Sequence, residues 1–348
     1  MRHMDKEFST LKKILIFKND RVGDLFHGLN AIEKIFYNNP GHEFHIYLSS
    51  YNGKFSFLFS NVPHKIFITK YNLSFIDKIN IVVNLITYNY SKIFILTPKN
   101  FLFYLPVFFK NYYYAICVNE SWKFRPSNFL RSFLYKSAVN DRIKKKPGES
   151  ISILLSYLCS NDNFPFTKKE DKLINLSPPN GIGNLANPIS SYIHVHFKKL
   201  FFYKHGWTIY NFLNFINVLS SNNFNVSITS DLGDTDANLI LKKNIPTYSK
   251  NSEDVFALNK IIYFDNIKGA DLFALIKSAS CTVSPHGTMT VMASYLDVPV
   301  VDMFEPSIDL VSFREYKPIN KRYKFLIIRK FSTEICIKIV NFLKSNLA

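Results

Sequence analysis

Two short stretches combine residue types that can do chemistry with a spacing that places them at loop edges. The first is Lys18-Asn19-Asp20-Arg21-Val22-Gly23-Asp24. Its last residue is a carboxylate behind a glycine, at the start of a helical pattern. A carboxylate so placed can take a proton from a hydroxyl that attacks an electrophilic carbon. It can equally cap the helix that follows. The second is Ser284-Pro285-His286-Gly287-Thr288. Here a turn held by proline and glycine leads into a run of small and apolar residues. Free N–H groups at a helix start favour an anion such as phosphate, and Thr288 or Thr290 can cap that helix or offer a hydroxyl.

The elements around these stretches follow from hydrophobic patterning. Lys13 to Phe17 is a continuous apolar run that predicts a buried strand, and a helix is expected from about Leu25 to Tyr37. Cys281 to Ser284, Thr288 to Leu296 and Val298 to Phe304 predict a strand, a helix and a second strand, a βαβ unit. Further strands are expected at 44–49, 65–69, 93–96, 112–118, 191–197, 225–229, 261–264 and 323–328. Between 71 and 85 a helical pattern runs into Ile81-Val82-Val83-Asn84-Leu85, which reads as a possible strand. Alternation of strands with helices predicts an α/β protein with parallel sheets. A loop at the carboxyl end of such a strand is the usual place for a ligand.

The same two stretches resemble the signatures of the family 9 glycosyltransferases, the heptosyltransferases of bacterial lipopolysaccharide synthesis. The first resembles R-x-D-R-x-G-D, with Lys18 replacing the first arginine. The second, with Asp297-Val298-Pro299-Val300-Val301-Asp302-Met303-Phe304-Glu305 behind it, resembles the family's small-residue helix and G-V-P-V-V-x-L-F-G strand. The resemblance implies the GT-B architecture, two Rossmann-like domains with parallel sheets facing across a cleft. It implies Asp24 as general base, Lys18 and Arg21 on the acceptor side, and a nucleotide-sugar held by Lys204, Ser230, Lys268, His286, Gly287 and Thr288. Lys204 and Trp207 resemble the family's K-x-W-P with one residue inserted. An inverting transfer of heptose or a related sugar to a lipopolysaccharide-, capsule- or other glycan-type acceptor is implied, with no metal and no cofactor beyond the donor. Two positions depart from the family: His286 stands where an aspartate is usual, and Val291 where a histidine is usual. A histidine at that turn implies a donor with its negative charge close by. The departures equally fit a non-catalytic sugar-nucleotide or anionic-lipid-headgroup binding protein on the same scaffold.

The chain has 348 residues, enough for two domains. An N-terminal domain is expected over 1–175, a linker over 176–190 and a donor-binding domain over 191–331. The helix over 332–348 is expected to return to the first domain. The linker carries the Pro- and Gly-rich Leu176 to Pro188, whose Gly181 to Gly183 fragment precedes no helix pattern.

A formal charge of +17 calls for an anionic partner. No nucleic-acid signature accompanies it, so a phosphorylated substrate or an anionic membrane surface is expected, with the basic stretch Ser121 to Lys146 as its contact. No apolar run reaches the length of a membrane span, and residues 1–13 contain no signal-peptide core. The four cysteines form no C-x-x-C pair. A cytoplasmic protein, peripheral at the inner face of the inner membrane, is the corresponding expectation. His194 and His196 alternate on one strand without a third metal ligand, and Asp234-Thr235-Asp236 sits where acidic residues favour a helix start.

Overall fold

The computed structural model describes residues 11–97, 101–102, 104–105, 109, 112–115, 137–138, 173–178, 191–231, 235–248, 260–307, 322–330 and 332–347. The Gly181 to Gly183 fragment, Asp234, and all of the basic 121–146 stretch except residues 137–138 lie outside them. Two compact units are present, one built on Met1–Leu176 and the other on Ser177–Phe313 and Lys317–Ala348.

The first unit is formed on β1 (Lys12–Lys18), β2 (His42–Ser49), β3 (His64–Thr69), β4 (Lys92–Ile95), β5 (Tyr112–Ala115) and β6 (Ser137–Ala138). All pairings are parallel, in the order β3-β2-β1-β4-β5-β6. Strand β1 carries Ile14, Leu15, Ile16 and Phe17 fully buried, the unbroken apolar run of a strand covered on both faces. Helix α1 (Val22–Tyr37) buries Leu25, Leu29, Ile32 and Phe36 at helical spacing. Helix α2 (Phe75–Tyr88) starts at a capping box between Ser74 and Asp77. It absorbs Ile81 to Leu85, which the sequence leaves open as a strand. Once nucleated, the helix continues through β-branched residues, whose helix penalty is only tenths of a kcal/mol each.

The second unit is formed on β7 (Tyr192–Phe197), β8 (Asn225–Ser230), β9 (Thr247–Tyr248), β10 (Ile261–Phe264), β11 (Cys281–Pro285), β12 (Val300–Phe304) and β13 (Tyr323–Ile327). Its order is β13-β12-β11-β7-β8-β10-β9, again parallel throughout. Between them run α3 (Lys199–Lys204), α4 (Ile209–Ser221), α5 (Thr235–Asn244), α6 (Ala270–Lys277), α7 (Thr288–Tyr295) and, at the end, α8 (Thr333–Leu347). Helix α3 is not expected from the sequence pattern; it is one and a half turns of aromatic residues that bury Phe201 and Phe202. Helix α8 buries Cys336, Ile339, Val340 and Leu343 in the same core as Phe212 and Phe215 of α4. It falls within the second unit.

Both sheets have a doubly wound strand order, which reverses beside the first strand of each. In the first unit the reversal falls between β1 and β4, and in the second between β7 and β11. The crevices outside the carboxyl ends of those strand pairs are the expected ligand sites. The two stretches singled out by their chemistry lie at these two edges.

Candidate functional site

At the edge of the first sheet, β1 ends on Lys18 and β4 is followed by Leu96 and Thr97. Lys18 is 2% exposed. Its ammonium lies 2.7 Å from Asp20 Oδ2 and donates to the Leu96 carbonyl at 3.4 Å. Thr97 Oγ1 donates to the same Asp20 oxygen at 3.0 Å. Asn52 Nδ2 donates to Asp20 Oδ1 at 3.3 Å and to the Lys18 carbonyl at 3.1 Å. The Ser49 hydroxyl donates to the Asp20 carbonyl at 2.6 Å. The switch point is therefore spanned by a buried ion pair whose carboxylate has three donors, the arrangement that lets a buried charge persist. Gly28 on α1 completes it: a Cβ there would come within 2.6 Å of Lys18 Cε.

Asp24 stands in the first turn of α1 and is half-buried. The N-cap position is held by Arg21, without a side-chain cap bond of its own. The Asp24 carboxylate, at N3, accepts from the Arg21 backbone N–H, so it also caps the helix start. Burial pushes its carboxyl above the ordinary range, and the Asp20 carboxylate pushes the same way. Lys18, the Arg21 backbone and the Arg21 charge oppose this without cancelling it. A carboxylate with a raised pKa is a better base. Arg21 is exposed, its guanidinium 5.8 Å above the Tyr71 ring. Lys18 and Arg21, both assigned from sequence to the acceptor side, are thus different groups. Lys18 is internal and supports Asp20, whereas Arg21 is open to solvent. Asp20 stands out in the sequence only as a motif position; a carboxylate two residues from a lysine at the end of a buried strand is the available signal.

At the edge of the second sheet, β11 runs into His286 and Gly287, and α7 begins at Thr288. Gly287 adopts φ 154°, ψ −150°, which side-chain-bearing residues rarely enter, and no atom lies within 4 Å of a Cβ built there. Thr290 Oγ1 accepts from the Gly287 N–H at 3.2 Å and donates to its carbonyl at 3.0 Å. Gly287, Thr288 and His286 are partly exposed. His286 Nδ1 lies 2.8 Å from Asp302 Oδ2, and its ring stacks on Phe304 at 4.4 Å. Asp302, on β12, is fully buried and also accepts from the Tyr323 hydroxyl at 2.9 Å. Burial pushes the Asp302 carboxyl up, and the His286 contact draws it back. Sequence reasoning does not single out Asp302; a lone acid in the apolar strand Val300–Phe304 is the signal that could.

The other expected donor-side residues are distributed along this unit. Lys204, at the end of α3, lies 2.5 Å from Glu305 Oε2, directly after the strand that carries Phe304. The lysine holds the Glu305 carboxyl below its usual range. Ser230 ends β8 and donates to Asn238 Oδ1 at 2.5 Å, with the Tyr263 hydroxyl 2.8 Å away. Lys268 is exposed in the turn between β10 and α6. His194 and His196 bond to β8 hydroxyls: Ser227 and Thr229 for the first, Thr229 for the second. Burial pushes His194 down to about 3. His194 is thus a neutral strut between strands, and His196 also lies 3.3 Å from Asp231 Oδ1 through Nε2. Asp236 is exposed in the first turn of α5.

No protein-family model matches the sequence, and no curated protein matches it at a significant level. Solved structures do. The family 9 glycosyl transferase of Veillonella parvula superposes with a TM-score of 0.68 at 12% identity, over 97% of each chain. The ADP-heptose lipopolysaccharide heptosyltransferase II of E. coli gives 0.66 at 13% identity, over 96% of this chain and 98% of its own. E. coli heptosyltransferase WaaC with ADP gives 0.65 at 13% identity, over 96% and 99%. This chain therefore shares the GT-B fold of the heptosyltransferases and family 9 glycosyltransferases along nearly its whole length.

Proposed function

We propose that the protein is an inverting glycosyltransferase that moves a heptose or related sugar from a nucleotide-sugar to a lipopolysaccharide-, capsule- or other glycan-type acceptor. The observation that carries this reading is Asp24, a half-buried carboxylate with a raised pKa at the switch point of the first sheet. The oxygen of an acceptor hydroxyl attacks the anomeric carbon, and Asp24 takes the hydroxyl proton. The carbon–oxygen bond to the phosphate breaks, and its electron pair leaves with the nucleoside diphosphate. One displacement of this kind inverts the anomeric centre. The charge on the leaving diphosphate is met by the N–H groups at the start of α7, by His286, and by the cations Lys204 and Lys268. A helix end with basic side chains can take the place of a metal ion, and turnover is expected to persist in EDTA.

One observation favours a second reading, a sugar-nucleotide-binding protein without turnover: Lys204 is already neutralised by Glu305. Both readings are tested by a calorimetric screen of ADP-, GDP-, UDP- and CMP-linked sugars followed by Asp24→Asn. The transferase reading expects transfer to fall about 100- to 10,000-fold with donor affinity retained. Donor binding with no turnover in the wild type supports the second reading. Near wild-type turnover in Asp24→Asn removes Asp24 from the mechanism.

A further inference from the structure

Helix α2 is apolar on the side where a surface helix is ordinarily polar. Its fully buried residues are Ile81 and Leu85. Phe75 is 76% exposed, Ile76 69%, Ile79 44%, Val83 51% and Ile86 68%. At about 100° per residue these five fall within one arc of roughly 100°, opposite Ile81 and Leu85. Asn80, Asn84 and Thr87 lie between the two stripes. Single exposed apolar residues are ordinary, whereas five on one helix face form a patch that marks an interaction surface.

The surroundings identify the partner. Residues 61–90 contain Lys65, Lys70 and Lys78 against one acid, Asp77. That acid is committed to the capping box, where Oδ2 accepts from the Ser74 N–H and hydroxyl at 2.8 and 2.7 Å. Lys65 and Lys70 are exposed, and the whole chain carries +17. Beside the apolar arc, an apolar cavity of about 320 Å³ is lined by Val82, Phe101, Tyr104, Leu105 and Phe109. Val82 is one turn from both Ile79 and Ile86, so cavity and face form one apolar surface. An amphipathic helix that lies in the headgroup region combines an apolar face with flanking lysines in this way. No helix among the described residues is long and apolar enough to cross a membrane, so the contact is with a bilayer surface.

We propose that the outward face of α2 docks on an anionic lipid bilayer, with Phe75, Ile76, Ile79, Val83 and Ile86 in the acyl boundary and the lysines at the headgroups. This is independent of the transferase reading. The full chain is sedimented with vesicles of phosphatidylcholine alone and of phosphatidylcholine with phosphatidylglycerol. Binding is expected to the second only, to weaken as salt rises, and to fall at least about tenfold in Ile79→Glu/Val83→Glu. Circular dichroism and thermal melting check the variant's fold. Should it not fold, hydrogen exchange of the wild type decides: α2 amides are expected to gain protection on adding anionic vesicles. Equal binding by a folded variant, equal binding to neutral vesicles, or no change in α2 exchange overturns the proposal. So does a wild-type dimer that the double variant converts to monomer, since a second copy would then cover the face.

Discussion

His286 Nδ1 and Asp302 Oδ2 are 2.8 Å apart, so a partly exposed turn residue is anchored on a fully buried strand carboxylate. The ring has one nitrogen turned inward and is flattened on Phe304. Its other nitrogen has no partner among the described residues. With Nδ1–H donating to an ionised Asp302, Nε2 carries a hydrogen only when the imidazole is protonated. Such a hydrogen bonds the oxygens of a diphosphate. Asp302 thus acts through His286, as a positioning residue. Asp302→Asn, which keeps shape but removes the acceptor charge, is expected to weaken donor binding about 10- to 100-fold, the range for one hydrogen bond to a charged group. His286→Ala is expected to do the same and His286→Asp to do worse. Calorimetry with the nucleotide-sugar that binds wild type reads all three; equal affinities would show that His286 does not touch the donor.

Burial lifts the Asp24 carboxyl and the Asp20 carboxylate adds to it, with a consequence for pH. A general base works only when ionised, so activity falls as pH drops through its pKa. Because that pKa is raised, the acid limb of the kcat/KM profile should lie above the ordinary carboxylate range. Asp20→Asn removes a negative neighbour and releases Lys18, and both effects favour ionised Asp24. The limb is expected to move to lower pH. A limb that stays in place, in a variant that melts like wild type, would separate Asp20 from Asp24.

Gly28 allows Lys18 to reach Asp20. A methyl group there meets Lys18 Cε at 2.6 Å, and a buried paired lysine has little room to yield. Gly28→Ala is expected to cost about 1–3 kcal/mol of stability by overpacking and to lower transfer through the disturbed ion pair. Urea unfolding and steady-state rates measure the two effects. Wild-type values of both would show that the Lys18 stem adapts freely.

The buried histidine of β7 sets an acid limit on the second unit. His194 titrates at about 3 in the folded protein and near 6.5 when unfolded. Between these values the unfolded chain binds the extra proton, so stability falls as pH drops. The loss begins below about pH 6.5 and reaches about 2 kcal/mol by pH 5 for this one group. Unfolding free energies at pH 7 and pH 5 should therefore differ less in His194→Gln than in wild type. An unchanged difference would assign the acid sensitivity to other groups.

Much of this fold is legible in the amino-acid order alone. The apolar run of β1 announces a strand covered on both faces, because apolar side chains fill both sides of a parallel sheet most readily. The Gly23-Asp24 and His286-Gly287-Thr288 stretches mark strand ends because glycine and proline interrupt a periodic pattern where the chain must turn. What single residues do at those places depends on tertiary neighbours. Lys18 reads as an acceptor-side cation in the sequence, yet it is buried because Asp20, the Leu96 carbonyl and the hollow at Gly28 come from three separate elements. His286 reads as a lone polar turn residue until β12 brings Asp302 beside it from 16 positions away. The outward apolar face of α2 follows the same logic: helical spacing places its residues on arcs, but only packing decides which arc is covered. Local pattern, set by backbone hydrogen bonding and side-chain periodicity, thus determined the elements and the two loops. Pairings between distant strands, which no local preference encodes, decided which charges are buried, which are paired and which remain open to a ligand.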